Sequence, residues 1–338
     1  MPPASKKRLR ALTNQLGASA RPQQQCAALA EIVKLSKNGA NTLLIAAVGA
    51  VPRLVQLLRP ESSTSVQIDA AEILSSLAED QPELRVTIAA AGAIPPLVRL
   101  LGLEDPSVMH ESAAGALGNV TFQSAQNRVA AAGAIPPLAL LLRSGAPPGV
   151  QCCVVPTLMN LAANNAANKT AIGAAGAIPS LVDLLRPRTE PVLQKDSALA
   201  LVNLSAGDAL NMAAIAASGA VSLLVPLLGP GSLAGMQCTA ANLVQNLVSD
   251  LPIGVDIVAA GCIPPLVELL RPGSSYAQVA AAGALQNVAK CAAANRGRIV
   301  AAGALPRLGD MLKPGHPASL RRAAVELWLV LTSIGAYY

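Results

Sequence analysis

The sequence has very few aromatic residues. They make up 1% of the 338 residues, and Trp328 and Phe122 are the only residues of their kinds. A core with so few large rings has to be built from closely spaced Ala, Val, Ile and Leu side chains. This suits helices packed at short distance better than a sheet, where β-branched and aromatic residues are favoured. The composition therefore predicts a helical protein.

The residues that most enzymes need are also scarce. His110 and His316 are the only histidines, which nearly excludes a His-based triad or a His-rich metal site. There is no GxxxxGK[ST] motif and no strand-associated GxGxxG motif. The six cysteines show no CxxC or Cys/His spacing, and we interpret them as buried, reduced thiols. The sequence therefore predicts no enzyme, no cofactor and no metal site.

Charge is sparse, and no apolar run is long. The net charge of +6, from 25 Lys and Arg against 19 Asp and Glu, is spread too thinly to predict a nucleic-acid surface. Apolar runs such as 129–142 and 213–228 are interrupted by Gly and by Pro or Ser and are too short to span a bilayer. The N-terminal segment lacks the apolar stretch of a secretory signal. We therefore expect no membrane insertion and an intracellular location, cytoplasmic and/or nuclear. The basic run Lys6–Arg10 matches a short nuclear-localisation pattern, but the solvated start of a capping helix is the favoured interpretation.

What the sequence does contain is a repeat. The stretch AAAGAIPPLVRLL at Ala89–Leu101 has near copies at Ala130–Leu142 and Ala259–Leu270. Its glycine recurs at Gly49, Gly92, Gly133, Gly176, Gly219, Gly261 and Gly303. The successive spacings are 43, 41, 43, 43, 42 and 42 residues. A constant period of this length is typical of stacked helical repeats.

The repeated join has a direct structural interpretation. A Gly after an Ala-rich run can end a helix in the left-handed conformation, and a Pro soon afterwards suits the first turn of the next helix. We predict a short first helix, a second helix such as Pro96–Leu101, and a longer third helix such as Gln67–Ala78 or Gln278–Ala289. Three helices in about 42 residues bury their apolar faces only when copies stack. The repeat therefore predicts a right-handed helical solenoid.

These motifs resemble the armadillo repeat. The likeness is carried by NRVAAAGAIPPLALLL at Asn127–Leu142, together with the Val-Gln and Asn-Leu-Ala steps that follow it. The segment Cys26–Leu58 is similar to the armadillo region of plant-type U-box proteins. The resemblance implies an all-α right-handed superhelix, an armadillo solenoid of about seven full three-helix repeats plus a partial N-terminal unit. We expect residues 1–23 to form a basic segment or capping helix and residues 24–338 a single armadillo-repeat domain.

The resemblance also implies a binding site. Third helices line the concave groove of armadillo proteins, where an Asn on each one holds the backbone of an extended peptide. The positions that match are Asn119, Asn160, Asn203, Asn246 and Asn287. Lys34, Ser76 and Leu329 stand at the equivalent positions of the remaining copies. The alternative is intramolecular, because such an Asn can also tie its own layer to the next one.

Nine residues before the Asn position runs a second polar row. Its members are Gln25, Gln67, Gln151, Gln194, Gln237 and Gln278, with His110 and Leu320 as exceptions. We place Gln151, Gln194, Gln237 and His110 on the groove face, although for the glutamines stabilisation of the helix start is the favoured explanation. Lys195 follows the row in its own copy and is also placed on that face.

One departure narrows the expected function. Importin-alpha-like proteins carry a Trp four residues before the Asn, and here that position holds residues such as Gly115, Leu199 and Gly283. We therefore expect a non-enzymatic scaffold that binds an extended segment of a protein partner, with no small-molecule substrate and no nucleic acid. Lys195 and Arg321 are among the cations on or beside the third helices, and they favour a partner segment that is neutral or acidic. A substrate-recruiting subunit of a ubiquitin ligase and a divergent nuclear-transport adaptor stay open as alternatives.

Pro156 falls in the middle of a predicted third helix. A proline there removes one helical hydrogen bond and costs about 3 kcal/mol in an ordinary helix. We expect a bend centred on 152–156.

Overall fold

The computed structural model describes residues 4–17, 20–79, 81–102, 107–143 and 146–333. Within these ranges the regular structure is helical, and no strand is present. By contacts the chain divides into two compact units, Met1–Ala177 and Ile178–Tyr338. The prediction of an all-α fold is confirmed.

The helices recur in sets of three. The first unit contains α1 (Lys6–Asn14), α2 (Pro22–Ser36), α3 (Gly39–Ala47), α4 (Ala50–Leu57), α5 (Thr64–Glu79), α6 (Pro82–Ala90), α7 (Ile94–Leu100), α8 (Ser107–Thr121), α9 (Ala125–Ala130), α10 (Ile135–Leu141), α11 (Pro148–Ala162) and α12 (Ala166–Ala174). The second unit contains α13 (Ile178–Asp183), α14 (Pro191–Ser205), α15 (Ala209–Ala217), α16 (Ala220–Leu228), α17 (Ala234–Leu247), α18 (Leu251–Ala259), α19 (Ile263–Glu268), α20 (Ser275–Cys291), α21 (Ala293–Ala301), α22 (Ala304–Met311) and α23 (Ala318–Thr332). From α3 onward each repeat is a first, second and third helix, so that α5 and α8 are third helices.

Glycine makes the join between the first and second helices, as the sequence predicts. Six of the seven repeated glycines have φ between 77° and 90°, a range that favours glycine over residues with a Cβ. Gly133 is the exception. There a short 3-10 helix, Ala132–Ala134, replaces the left-handed turn, so this join connects α9 to α10 by a different route.

The third helices form the core of each unit. Within a unit, consecutive third helices pack along one another, as α8 does on α5 and α20 does on α17. Pairs of alanines face these contacts and are almost completely buried, which lets the helix axes approach closely. The pairs are Ala70 with Ala71, Ala113 with Ala114, Ala240 with Ala241, and Ala281 with Ala282.

The third helix of the third repeat accommodates a proline. α11 continues without interruption from Pro148 to Ala162 and contains Pro156 in its interior. The hydroxyl of Thr157 lies 2.8 Å from the carbonyl oxygens of both Cys153 and Ala114, the second of which belongs to α8. The helix is therefore tied to its neighbour next to the proline. The predicted bend stays a prediction.

Candidate functional site

The exposed side of the third helices is the candidate site, and its central feature is the Asn row. The side-chain Nδ2 of four of its five members donates a hydrogen bond to the third helix of the preceding repeat. The bonds run from Asn119 to the Ser75 carbonyl (3.1 Å), from Asn160 to Gly118 (3.0 Å), from Asn246 to Val202 (3.1 Å) and from Asn287 to Gln245 (2.9 Å). The intramolecular alternative considered above is therefore present in the structure.

These bonds use only part of each carboxamide. An Asn side chain has two N–H donors and an oxygen with two lone pairs. Across the described ranges, the oxygens of Asn119, Asn160, Asn246 and Asn287 accept no hydrogen bond, and all four residues are half-buried. Asn203 is half-buried as well and is engaged in an interaction of its own. Each of the four amides is therefore fixed in orientation by the protein and still has an acceptor left over.

The Gln row has a different role. Its Nε2 atoms donate to carbonyls at the end of the second helix or in the following turn of the same repeat, where helical carbonyls lack intrahelical partners. The acceptors are Leu16 for Gln25, Arg59 for Gln67, Ala146 for Gln151, Leu185 for Gln194, Gly229 for Gln237 and Leu270 for Gln278. Each Gln therefore joins the second and third helices within one repeat. The Nε2 donor of each Gln is thus used within the protein.

His110 lies close to the same place in its repeat. It is half-buried and lines a pocket of about 370 Å³ with Leu140 and Arg143 at the end of the second helix of the next repeat. It also takes part in an interaction within the protein. Lys195, by contrast, is exposed one residue after Gln194 on α14. The structure therefore puts His110 at the edge where second and third helices meet and leaves Lys195 open to solvent.

The third-helix side of the first unit carries carboxylates. Asp69 and Glu72 lie on α5, and Glu111 lies on α8. All three are half-buried. Burial, and then the neighbouring charge of Glu72, raises the pKa of Asp69 above its ordinary value of 3.8. Burial also raises the pKa of the Cys153 thiol on α11, with a smaller contribution from Glu111.

The same side of the second unit carries carboxamides. Asn242 and Gln245 on α17, Gln286 on α20 and Glu326 on α23 line a notch of about 180 Å³. Gly283 forms part of its wall, and a Cβ added there would lie 2.8 Å from the Gln245 side-chain oxygen. We call this pocket the amide notch. Sequence reasoning missed Gln245 and Gln286, although the recurring Gln-Asn pairs at 245–246 and 286–287 mark them.

The comparisons with known proteins bear on the family and the fold. The Armadillo/beta-catenin-like repeat matches residues 40–79, 81–122, 165–206 and 255–290. A crystal structure of an engineered protein from a structural genomics consortium superimposes with a TM-score of 0.86 at 30% identity, over 97% of this chain and 79% of that one. The chain belongs to the armadillo-repeat family. Among curated proteins, none matches its sequence.

Membership of the armadillo family confirms the fold predicted from the repeat, an α solenoid. The matched segment 40–79 consists of α3, α4 and α5, one full repeat with its first helix at the start. The third repeat, which contains the 3-10 join and Pro156, lies outside the matched residues. The division at residues 23 and 24 into a capping segment and one domain stays a prediction.

A second Asn row in the armadillo repeats was not recognised in the sequence. It lies on the first helices, and its Nδ2 atoms donate to carbonyls near the end of the preceding third helix. The pairs are Asn41 with Leu35, Asn127 with Val120, Asn168 with Leu161, Asn211 with Leu204 and Asn295 with Val288, at 2.8 to 3.1 Å. These residues are buried, so their role is to hold consecutive repeats together. Consecutive members of this row are separated by one repeat in some places and by two in others, which made the row harder to recognise in the sequence.

The prediction of buried cysteines is only partly right. All six thiols are free, but Cys262 is the only one that is buried. Burial raises the pKa of Cys262 to about 12. Cys26 and Cys152 are exposed because they occupy the open side of third helices, where the repeat does not require an apolar residue.

No single helix within the described ranges is long and apolar enough to cross a membrane. Two bent pairs, α3 with α4 and α15 with α16, reach the required length and composition together.

Proposed function

We propose that this protein is a non-enzymatic scaffold whose third-helix side binds an extended segment of a partner protein. Armadillo repeats are general protein-interaction scaffolds, and the observation that supports a peptide site is the Asn row. Each of four rigidly held amides presents an oxygen that no described residue uses. Such an oxygen can accept a backbone N–H from a bound chain without reading its side chains.

The spacing of the row suits an extended chain. Packed helices lie about 8–10 Å apart, and an extended backbone advances about 3.3 Å per residue. Within one unit, consecutive Asn residues therefore meet the partner about every three of its residues. Specificity would come from the residues around the row, which differ between repeats.

The surrounding charges favour a neutral segment, or an acidic one on the second unit. Lys195, Arg321 and Arg322 are exposed on third helices of that unit, and Lys34 is exposed on α2. On the first unit, the carboxylates of α5 and α8 instead disfavour an acidic segment. We therefore expect the preference for acidic residues to be confined to segments that contact residues 191–332. We also propose an intracellular site of action, since free thiols suit a reducing compartment.

Selection from a library of displayed, disordered peptides tests the proposal. Asn246→Ala combined with Asn287→Ala should weaken the selected peptides about ten- to thirtyfold, because each lost hydrogen bond contributes about 1 kcal/mol. Leu43→Ser with Val129→Ser provides the control, since both residues are exposed on first helices and should leave affinity unchanged. Equal binding by both double variants would reject the third-helix site. A selection dominated by Lys and Arg would reject the charge preference.

A further inference from the structure

The amide notch differs from the rest of the third-helix side in its cluster of polar side chains. It lies between α17, α20 and α23, entirely within the second unit, and has a volume of about 180 Å³. The positions of Gln245 and Gln286 hold Ser75, Gly118, Met159 and Val202 in the repeats before them. The notch is therefore a local feature of these repeats rather than a general property of the solenoid.

The carboxamides in the notch are not satisfied by the protein. Within the described residues, the side chains of Gln245 and Gln286 make no hydrogen bond, although both are half-buried. The Nδ2 of Asn242 has only the Sγ of Cys238, at 3.8 Å. Two side chains without an internal partner, and a third whose only partner is a weakly accepting sulfur, therefore line one small pocket, and each carries donors and an acceptor.

Glu326 adds a carboxylate at an unusual position. The equivalent residue of the six preceding full repeats is buried and in most cases apolar. These residues are Ile73, Ala116, Thr157, Ala200, Leu243 and Ala284. The Oε1 of Glu326 accepts a hydrogen bond of 2.8 Å from the exposed Nε of Arg322. Arg322 already compensates the charge of the Glu326 carboxylate, and Arg321 precedes Arg322 in the chain. The notch therefore offers hydrogen bonds without a strong net negative charge.

We propose that the amide notch is a subsite for a carboxamide side chain, Gln or Asn, of the extended segment bound under the proposed function. A carboxamide donates from its NH2 group to Glu326 or to a lining oxygen, and it accepts from the Nε2 of Gln245 or Gln286. A lysine has only donors and would compete with Arg322 for the carboxylate. A carboxylate has only acceptors and would face Glu326. An aliphatic side chain would leave every lining group unpaired.

The polar lining of the notch should make it selective for carboxamide side chains. A site built from polar groups rejects a ligand of the same shape that lacks the matching polar atoms, because the lining groups then lose water without gaining a partner. Gly283 contributes by leaving room for the Gln245 carboxamide, whose atoms lie within 3 Å of the place a Cβ would occupy. A larger residue at position 283 should move Gln245 and alter the notch.

The test uses the full chain and four labelled peptides. Each is an acetylated, amidated dodecapeptide of Ser and Ala with three guest residues at alternating positions, the guests being Gln, Leu, Lys or Glu. Fluorescence anisotropy should show the Gln peptide binding at least tenfold more tightly than the other three. Gln245→Leu combined with Gln286→Leu should remove that preference and leave the weaker peptides unchanged. Val202→Leu, at the equivalent position of α14, is the matched control and should keep the preference.

Glycine substitutions provide a second, independent arm. Gly283→Ala should weaken binding of the Gln peptide severalfold, whereas Gly297→Ala should not, since a Cβ at Gly297 meets no atom within 4 Å. Circular dichroism and thermal melting check that each variant is folded.

The outcomes separate the two proposals. Binding of all peptides without a preference for Gln, a preference for Lys, or a Gln preference that survives in the Gln245→Leu and Gln286→Leu variant would overturn the subsite and leave the peptide site standing. Failure of all four peptides to bind would overturn the third-helix peptide site and the subsite with it.

Discussion

The two compact units share a backbone plan but present different chemistry on the same side. In both, third helices pack through buried alanine pairs and are linked by Asn side chains that donate to the preceding helix. Yet this side of the first unit carries Asp69, Glu72 and Glu111, while that of the second carries Asn242, Gln245 and Gln286 beside a single half-buried aspartate, Asp196 on α14. The residues that bond one third helix to the next therefore occupy different positions from the residues that a partner could contact. The contact residues differ between the units, whereas the bonding residues are the same.

The largest expected contrast involves two glycines on third helices. A Cβ at Gly118 would lie 2.6 Å from the Oγ1 of Thr157, a stiff, β-branched residue held by hydrogen bonds on α11. At Gly283 the neighbour is the flexible end of Gln245. Gly118→Ala should therefore lower the free energy of unfolding by about 1–3 kcal/mol. Gly283→Ala should be neutral or gain up to about 1 kcal/mol from helix propensity.

Urea unfolding of the two variants and of wild type measures this contrast. Gly297→Ala is the control for propensity alone, because nothing lies near its added Cβ. If Gly118→Ala proved as stable as Gly283→Ala, α8 and α11 would not pack as closely as the structure shows.

A smaller effect should be the same in both units. Asn160→Ala and Asn287→Ala each remove one hydrogen bond to a backbone carbonyl, of 3.0 and 2.9 Å. Each should cost about 1 kcal/mol of unfolding free energy, measured from urea unfolding midpoints. Asn242→Ala, on α17 but without such a bond, should cost less. A loss in only one unit would mean that the Asn row supports the two units unequally.

The smallest effect is a pH dependence with opposite signs at two aspartates, Asp69 on α5 and Asp183 on α13. The raised pKa of Asp69 means that its charge opposes folding at neutral pH. Asp69→Asn should therefore raise the melting temperature at pH 7. That gain should shrink as the pH falls through the raised pKa and be absent well below 3.8.

Asp183 provides the reverse case. The hydrogen bond from Arg186, with the nearby Arg188, holds its pKa below 3.8, so its charge stabilises the folded state above that pH, and the benefit is lost as the pH falls through the lowered value. Asp183→Asn should lower stability at pH 7 by less than about 1 kcal/mol, as is usual for an exposed pair. Melting curves from pH 2.5 to 7 compare the two variants, and parallel curves would contradict the assignment.

The fold could be predicted from the sequence because its markers are local. The Gly and Pro of each join act through backbone conformation, and the predicted third helices at 67–78 and 278–289 lie within the observed α5 and α20. Gly133 differs because its neighbours form a 3-10 turn, which the same residue types also allow.

The site could be predicted only in part. The sequence placed Asn119 through Asn287 on one row, but it could not show that their N–H groups are already used, because the acceptors are backbone carbonyls about 42 residues away. It also assigned Gln151 and Gln194 to the groove, although their Nε2 atoms donate to main-chain carbonyls in the turn after a second helix. A hydrogen bond to the main chain leaves no partner residue in the sequence to recognise.

That property of the Asn rows bears on how the chain can change over evolutionary time. Since the acceptor is a peptide group, which every residue supplies, a substitution at Gly118, Val202 or Gln245 need not be matched by a compensating change in the next copy. The repeats can therefore diverge at these positions by single substitutions without loss of the hydrogen bonds between third helices. A newly duplicated repeat would meet the same backbone acceptors on the third helix before it.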